Sequence, residues 1–198
     1  MELLLAICVG IGLSAASGFR VFVPMLGLSI ASSSGHLELA DSFEWIGSPV
    51  AVITFSIATI LEVGAYYVPW VDNLLDSVAT PAAIVAGTIT TGSMVGDVSP
   101  FLQWGLALVA GGGTAGVVQT GSVLVRGASS ATTGGIGNPV VSTGELASSA
   151  TITFMAIFIP ALAAFLTAAL LIWIISKIWK RIFSKKDDQL TPPIEPTT

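Results

Sequence analysis

The chain has 198 residues, of which 53% are hydrophobic and 10% are charged, with a formal net charge of −5 and a mean hydropathy of +0.88. A soluble domain, with about 25% charged residues, and a disordered chain, with low hydrophobicity, are both excluded. The single cysteine, Cys8, and the single histidine, His36, exclude an internal disulfide and metal sites built from several such residues. The composition therefore predicts one small multi-pass, all-α membrane domain over residues 1–182.

Uncharged runs in the sequence predict where the chain crosses a membrane. A helix that spans a hydrocarbon layer of roughly 30 Å needs about 20 apolar residues. On this basis we expect about five transmembrane helices, within a range of four to six. The five segments are residues 2–18, 49–68, 78–96, 101–125 and 151–176. The first begins with Glu2 and lacks basic residues, which favours a membrane helix over a cleaved signal peptide.

The first segment is followed by a break in the hydrophobic pattern at Arg20 and Pro24. Pro24 lacks an N–H group and opposes the carbonyl group of Arg20, four residues earlier. Irregular backbone inside a bilayer persists only where protein covers it or where it lines a wet cavity. The pattern predicts either a broken or re-entrant helix pair, or a single kinked helix with Arg20 near one membrane surface.

Residues 33–48 form the one sizeable polar connection, with Trp45 at its end. Apolar and acidic side chains interleave along it, which predicts a short interfacial helix or lid anchored by the aromatic ring. His36, near the start of this connection, is expected to be a solvated loop residue.

A second interruption, at residues 69–76, carries two acidic side chains. Asp72 and Asp76 lie four residues apart, so on a helix they share one face. They could bind a cation or carry a proton, or they could cap a helix at the membrane surface.

A third interruption lies at residues 134–145. Asn138 is expected to cap a helix whose first turn holds Pro139, with Glu145 about two turns further on. Corresponding interruptions at residues 69–76 and 139–145 weakly indicate an inverted repeat of the kind found in transporters.

Ionisable side chains at membrane depth are costly and usually have both a function and a partner. We therefore expect Arg20 to form a central network with one or two carboxylates. The expected carboxylates are those of Asp72, Asp76 and Glu145. Arg126, at the expected end of a helix, is predicted to reach a lipid headgroup. Glu62 and Asp97 are secondary candidates for the pathway.

Basic residues are concentrated near the C-terminus, where residues 177–186 hold five of the seven Lys and Arg residues. By the positive-inside rule we expect a protein of the cell inner (plasma) membrane with its C-terminus in the cytoplasm. Residues 183–198 are expected to be a disordered tail. The basic cluster could fix this topology or bind anionic lipid. Gly112 and Gly116 form a Gly-x-x-x-Gly pair that could serve internal packing or a homodimer.

Four short motifs follow one another along nearly the whole chain, at residues 18–24, 69–76, 96–100 and 138–145. They read small-x-Arg-x-Phe-x-Pro, Pro-x-Val-Asp-x-x-x-Asp, Gly-Asp-x-Ser-Pro, and Asn-Pro-x-Val-Ser with a following acid. In these motifs the sequence resembles the domain of unknown function 4126 family, small multi-pass membrane proteins found mainly in bacteria. The resemblance implies a helical membrane fold and a site at these motifs, but no activity.

The sequence departs from that family's pattern at charged positions. Tyr66 and Tyr67 stand where the family is expected to have Asp-Lys. Gln119 and a lone Glu145 stand where a His and Lys and an acidic pair are expected. A site that depended on those charges would be altered here, and Gln119 is a further secondary candidate.

The sequence indicates a transporter or channel-like protein that moves a small solute or ion through a polar site at broken helices, with proton or cation coupling. Two other functions stay open: a non-transporting membrane scaffold or assembly protein, and a lipid-headgroup translocase. A scaffold predicts paired and dry charges, whereas a transporter predicts a wet cavity that reaches them. The one His and the one Cys cannot form a catalytic pair. We therefore expect no enzyme, no cofactor, no metal and no nucleic-acid partner, only membrane lipids and the solute.

Overall fold

The computed structural model describes residues 2–96 and 98–190, without the side chains of residues 69, 70, 72–74, 76 and 180–190. Helices and turns account for its regular structure, and these residues contain no strand. The α-helices are α1 (Glu2–Ser17), α2 (Phe22–Ser33), α3 (Pro49–Ala65), α4 (Pro69–Met94), α5 (Pro100–Leu106), α6 (Gly113–Thr133), α7 (Asn138–Phe158) and α8 (Pro160–Leu190). A 3-10 helix (Asp41–Gly47) precedes α3, and a π-helical segment (Ala107–Gly112) joins α5 to α6.

Three helical stretches of the described chain are long and apolar enough to span a membrane: Pro100–Thr133, Asn138–Phe158 and Pro160–Trp179. A fourth results if the 3-10 helix and α3, which meet at 64°, are counted as one span. The expected number of five is not confirmed, although four lies within the expected range. α1 has 16 residues, and at about 1.5 Å per residue it is shorter than a hydrocarbon layer of roughly 30 Å.

The last predicted segment, residues 151–176, is not one helix. α7 ends at Phe158 and α8 begins at Pro160, with Ile159 between them in a non-helical conformation. Proline has no N–H group to continue the hydrogen-bond ladder, and it disfavours a helical conformation in the residue before it. The prediction of an unbroken crossing here was therefore wrong.

The interruption at Arg20 separates two helices. α1 ends at Ser17, and α2 begins at Phe22 with Pro24 in its first turn. Both are apolar helices of less than membrane-spanning length. The structure thus has a broken helix pair in place of a single kinked helix.

α1 occupies the centre of the bundle and packs against α2, α4, α6, α7 and α8. Ser14 Oγ donates a hydrogen bond to the Gly87 carbonyl oxygen at 2.7 Å and lies 2.8 Å from Thr91 Oγ1. Gly18 lies so close to α6 that a Cβ atom there would be 2.6 Å from the Ala115 carbonyl oxygen. The non-helical residues after α1 are therefore covered by protein.

Glycine also brings α4 against the π-helical segment. A Cβ atom on Gly87 would lie 2.8 Å from the Gly111 carbonyl oxygen, and one on Gly111 would overlap Thr91 Oγ1. Gln103 Nε2 donates to the Gly92 carbonyl oxygen at 3.0 Å. Small residues let membrane helices approach to backbone contact, so these positions set the distance between α4 and the span that contains α6.

The polar connection at residues 33–48 contains the 3-10 helix. Phe43 and Ile46 are buried in the main apolar core, while Trp45 is 53% exposed. His36 lies exposed before it, and its ring makes a T-shaped contact with the Phe158 ring, with the centroids 6.2 Å apart. The short helix was expected, and its apolar side chains dock it onto the bundle.

The outer surface has the character of a membrane protein. Large apolar side chains such as Phe101, Phe165 and Ile172 are more than half exposed, and several helices are apolar over their length. α8 continues to Leu190, through the first part of the predicted tail. Residues 191–198 lie outside the described residues.

Candidate functional site

Arg20 lies in the break between α1 and α2 and is 1% exposed. Its Nη2 donates to the Ser142 carbonyl oxygen at 2.9 Å and lies 3.4 Å from Glu145 Oε2. Its Nε and Nη1 are buried and have no hydrogen-bond partner among the residues that the structure describes. A guanidinium group carries five N–H donors, so most of its hydrogen-bonding capacity is unused.

Glu145, two turns into α7, is the acceptor at the centre of the site, and 5% of it is exposed. Its Oε1 accepts hydrogen bonds from Ser122 Oγ and, at 3.0 Å, from Arg126 Nε. Its Oε2 accepts from Arg126 Nη2. Both carboxylate oxygens are thus bonded to α6, while Arg20 faces the same carboxylate without a hydrogen bond.

Arg126 does not reach a headgroup, and that prediction was wrong. It is 3% exposed, because α6 continues to Thr133 and places Arg126 about two turns before the helix end. Gln119, Ser122 and Arg126 follow one another at spacings of three and four residues, so they share one face of α6. All three are buried. The secondary candidate Gln119 thus lies on the face that carries the ion pair.

Tyr66, the first residue after α3, packs against both arginines. The guanidinium carbon of Arg20 lies 3.8 Å from its ring centroid, and that of Arg126 lies 4.1 Å from it. The residue is 6% exposed. A cation over an aromatic ring is stabilised by the ring quadrupole, and most strongly where water is excluded. One ring therefore holds two positive charges beside Glu145.

Glu62, a secondary candidate on α3, caps α2. Its Oε1 accepts the Val21 N–H at 2.7 Å and its Oε2 accepts the Phe22 N–H at 3.0 Å. The first N–H groups of a helix have no partner within the helix, and the positive end of the helix dipole favours a carboxylate there. Glu62, 9% exposed, thus stabilises the second half of the broken pair, where Pro24 is also buried.

Asn138 and Pro139 begin α7 as the sequence indicated, but Asn138 does not cap it. Gly137 occupies the N-cap position, and Thr133 Oγ1 accepts its N–H at 3.0 Å. Asn138 Nδ2 instead donates to Ser130 Oγ at 3.1 Å, which ties the start of α7 to the end of α6. The turn between these helices thereby sets the register of Glu145 against Arg126.

Three predicted acids cannot be placed in the site. The side chains of Asp72 and Asp76 and the whole of Asp97 lie outside the described residues. The backbone of the first two belongs to the first turns of α4. Of the expected partners of Arg20, the described structure brings Glu145 to it.

A groove of about 330 Å³ borders this cluster. Its lining includes Val21, Phe22, Glu62 and Tyr66 from the site, together with apolar residues of α3 and α4. Arg20, Arg126 and Glu145 are not part of that lining, and each is at most 5% exposed. In this conformation the ion cluster is closed, and the groove ends at its edge.

Comparison with known proteins identifies one family. A family model described as "Domain of unknown function (DUF4126)" matches residues 7–181, most of the chain. No curated protein and no solved structure matches the sequence. The matched range contains every described residue of the site.

Proposed function

Since the chain belongs to the DUF4126 family, whose description assigns no activity, we propose a function from the site itself: the protein moves a small solute or ion across a membrane. The pathway would pass through the ion cluster, which we define as Arg20, Tyr66, Arg126 and Glu145. The observation that carries the proposal is Arg20, a fully buried charge with two unpartnered nitrogen atoms in the gap of a broken helix.

Energetics argue against a purely structural role for this cluster. Burying an ion costs several kcal/mol even after relaxation, and apolar residues of similar volume often stabilise a protein as well or better. Ionisable groups within membrane helices therefore usually mark a pathway or a binding site. A guanidinium group that keeps unused donors is an especially poor choice for a static core, because each buried, unsatisfied polar group adds about 1–3 kcal/mol of cost.

The broken helices supply the mechanical part of the proposal. Unwound backbone between half-helices is how many transporters place charged groups near the middle of the membrane. Here the gap after α1 holds Arg20, and Glu62 holds the start of α2. The described conformation is an occluded one, and movement of α2 and α3 relative to α6 and α7 would open the cluster.

Coupling to a second ion is part of the same proposal. Glu145 could take up a proton when the cluster opens, and Asp72 and Asp76 remain candidates for a proton or a cation. An inverted repeat, a homodimer and a cytoplasmic C-terminus in a bacterial inner membrane also remain predictions.

Two observations favour other functions. The closed, paired charges of the cluster are what a non-transporting scaffold or assembly protein predicts. The groove at Glu62 and Tyr66, with its apolar lining, suits a lipid-headgroup translocase that admits its substrate from the side. We prefer transport to a scaffold because a scaffold does not account for the unused donors of Arg20. A headgroup phosphate would also accept those hydrogen bonds, so the nanodisc experiment with anionic lipid, described below, distinguishes a lipid ligand from a free solute.

The test is flux in proteoliposomes that contain the purified protein. We would record electrical currents on a solid-supported membrane after rapid addition of phosphate, acetate, amino acids, sugars or alkali-metal chlorides, with a pH-sensitive dye inside the vesicles. Flux that is lost in Arg20→Ala and kept in Lys177→Ala supports the proposal, because Lys177 is an exposed basic residue on α8. Absence of flux for every solute, or equal flux in correctly folded Arg20→Ala protein, refutes it.

A further inference from the structure

We infer that the solute bound at Arg20 is a small oxyanion, such as a carboxylate or a phosphate group, and that Glu145 limits its affinity. This inference rests on the proposed function, because it names the class of substrate for that site. The ligand would accept hydrogen bonds from the Arg20 side chain through its oxygen atoms.

The unused donors point to an acceptor. Nε and Nη1 of Arg20 have no partner, although the residue is 1% exposed. The Tyr66 ring, 3.8 Å away, covers a face of the guanidinium group. The N–H bonds of this planar group point outward from its edges, so a ring over the face leaves the edge donors without an acceptor. A ligand with oxygen atoms at this edge would accept hydrogen bonds from Nε and Nη1 of Arg20.

The charge nearest to the unused donors, that of Arg20 itself, favours an anion over a cation. Arg20 and Arg126 both lie over the Tyr66 ring, within about 4 Å of its centroid. Arg126 is paired with Glu145, but a cation placed at the edge of Arg20 would lie closest to that guanidinium group and would be repelled by it. Hydrogen bonds from arginine to carboxylate or phosphate are roughly twice as strong as those between neutral groups. A neutral acceptor would bind Arg20 less strongly than an anion does, and it would not compensate the positive charge of Arg20.

Glu145 does not already fill this position. Its two oxygen atoms are bonded by Arg126 and Ser122, and its contact with Arg20 Nη2 is 3.4 Å, longer than a good N–H···O hydrogen bond. An incoming anion can therefore bind Arg20 while the pair of Glu145 and Arg126 stays intact. The negative charge of Glu145 would oppose the anion, so removing that charge should tighten binding.

The groove gives the anion a route and limits its size. Val21, the neighbour of Arg20, lines it together with Tyr66 and Glu62. Its volume of about 330 Å³ accommodates a small organic acid or one phosphate group. Rotation of the Tyr66 ring away from Arg20 would connect the groove to the unpartnered donors.

The experiment measures anion binding apart from transport. Purified protein in nanodiscs of zwitterionic lipid is titrated with sodium phosphate, acetate or sulfate, against sodium chloride at matched ionic strength, and thermal stability is recorded. We expect at least one oxyanion to stabilise the protein. Arg20→Gln should weaken its apparent affinity about ten- to a hundredfold, as expected for loss of charge-assisted hydrogen bonds.

Matched variants separate binding from folding. Arg20→Lys keeps the charge but has a single nitrogen atom, so it should bind more weakly than wild type and better than Arg20→Gln. Glu145→Gln should bind more tightly than wild type, which a merely structural role for Glu145 would not produce. Lys177→Gln should match wild type.

Nanodiscs containing anionic lipid identify the source of the oxyanion. If a lipid headgroup is the ligand, anionic lipid stabilises the protein by itself and abolishes the response to added anions, and both effects disappear in Arg20→Gln. That result supports the anion site and assigns it to lipid. If soluble anions still act, the ligand is a free solute.

The failures of the two proposals are distinguishable. Binding of an oxyanion through Arg20 without any flux in proteoliposomes would retain the anion site and refute transport. Flux of a cation or a neutral solute through a protein that binds no oxyanion would retain transport and overturn the anion site. An anion response that is unchanged in Arg20→Gln also overturns it.

Discussion

Removal of the central carboxylate, in Glu145→Ala, tests whether the ion cluster holds the bundle together. Glu145 accepts hydrogen bonds from Ser122 and from two nitrogen atoms of Arg126, and it faces Arg20. The variant would leave two buried guanidinium groups over one ring with no carboxylate of α7 beside them. Repulsion between the two guanidinium groups and loss of the charge-assisted hydrogen bonds both destabilise the folded protein.

The expected cost is large for a single substitution. Removing one partner from a buried ion pair destabilises a protein by about 3–5 kcal/mol. For a chain of this size, 1 kcal/mol corresponds to a shift of about 2–4 °C in the midpoint of thermal unfolding, so we expect a decrease of about 6–20 °C. Glu145→Gln should lose less stability than Glu145→Ala, because the amide oxygen can still accept a hydrogen bond from Arg126 or Ser122.

The assay is thermal unfolding in a mild detergent, followed by tryptophan fluorescence and by the fraction that stays monodisperse. Glu44→Ala serves as the control, because Glu44 is an exposed acid of the 3-10 helix and surface substitutions usually change stability by less than about 0.5 kcal/mol. The double variant of Glu145→Ala and Arg126→Ala should lose less stability than the sum of the two single variants. An additive result, or equal midpoints for Glu145→Ala and Glu44→Ala, would refute the reasoning.

Three further outcomes are expected in the same unfolding assay. Gly111→Ala should destabilise the protein, because its Cβ would overlap α4, whereas Gly113→Ala, with nothing within 4 Å, should be neutral or gain up to about 1 kcal/mol in helix propensity; the reverse order would contradict the described packing. Glu62→Gln should cost about 1–2 kcal/mol, because one of the two amides at the start of α2 loses its acceptor, and faster hydrogen exchange confined to α2 would locate the effect. Tyr66→Leu should lose about 2 kcal/mol or more of stability beyond the loss in Tyr66→Phe, because only an aromatic ring attracts both guanidinium groups; equal losses in the two variants would show that the ring face is unimportant.

Part of this site is visible in the sequence because single charges stand out in apolar surroundings. Arg20 lies between two apolar runs and precedes a proline, so a broken helix with a buried charge follows from local physics. Glu145 lies at a fixed distance from the helix start marked by Pro139. The structure places these two side chains 3.4 Å apart. Their function as a pathway stays a prediction.

The sequence pattern favours a position for Arg126 at the end of a helix, because an uncharged run ends immediately before it. The helix continues through small and hydroxyl-bearing residues to Thr133, and Gly134 ends it with a positive φ of 63°. Glycine in this position is a common helix stop signal. Read from Gly134 backwards, the sequence would have placed Arg126 two turns inside the helix. Pro160 is a similar helix-breaking signal, although it lies within a strongly apolar run.

Tyr66 could not have been found from sequence patterns. Its ring contacts Arg20, 46 positions earlier, and Arg126, 60 positions later. Neither separation produces a periodic signal, because both contacts depend on how α3, α6 and the break are arranged in space. Tyr66 stands where the family pattern is expected to have a charged residue, which indicates an altered site. It does not indicate that the ring contacts two arginines.

The π-helical segment at residues 107–112 determines which face of the following helix, α6, is turned towards α7. An α-helix turns by about 100° per residue, and a π-helical turn contains about one residue more than an α-helical turn. The span that begins at Pro100 therefore presents Gln103 to α4 at one end and Arg126 to Glu145 at the other. A chain shorter by one residue within this segment would swing the arginine towards the lipid, although every side chain of α6 remained the same. The extra residue in the π-helical turn therefore sets the rotation of α6 about its own axis. Whether Arg126 belongs to the ion cluster depends on that rotation.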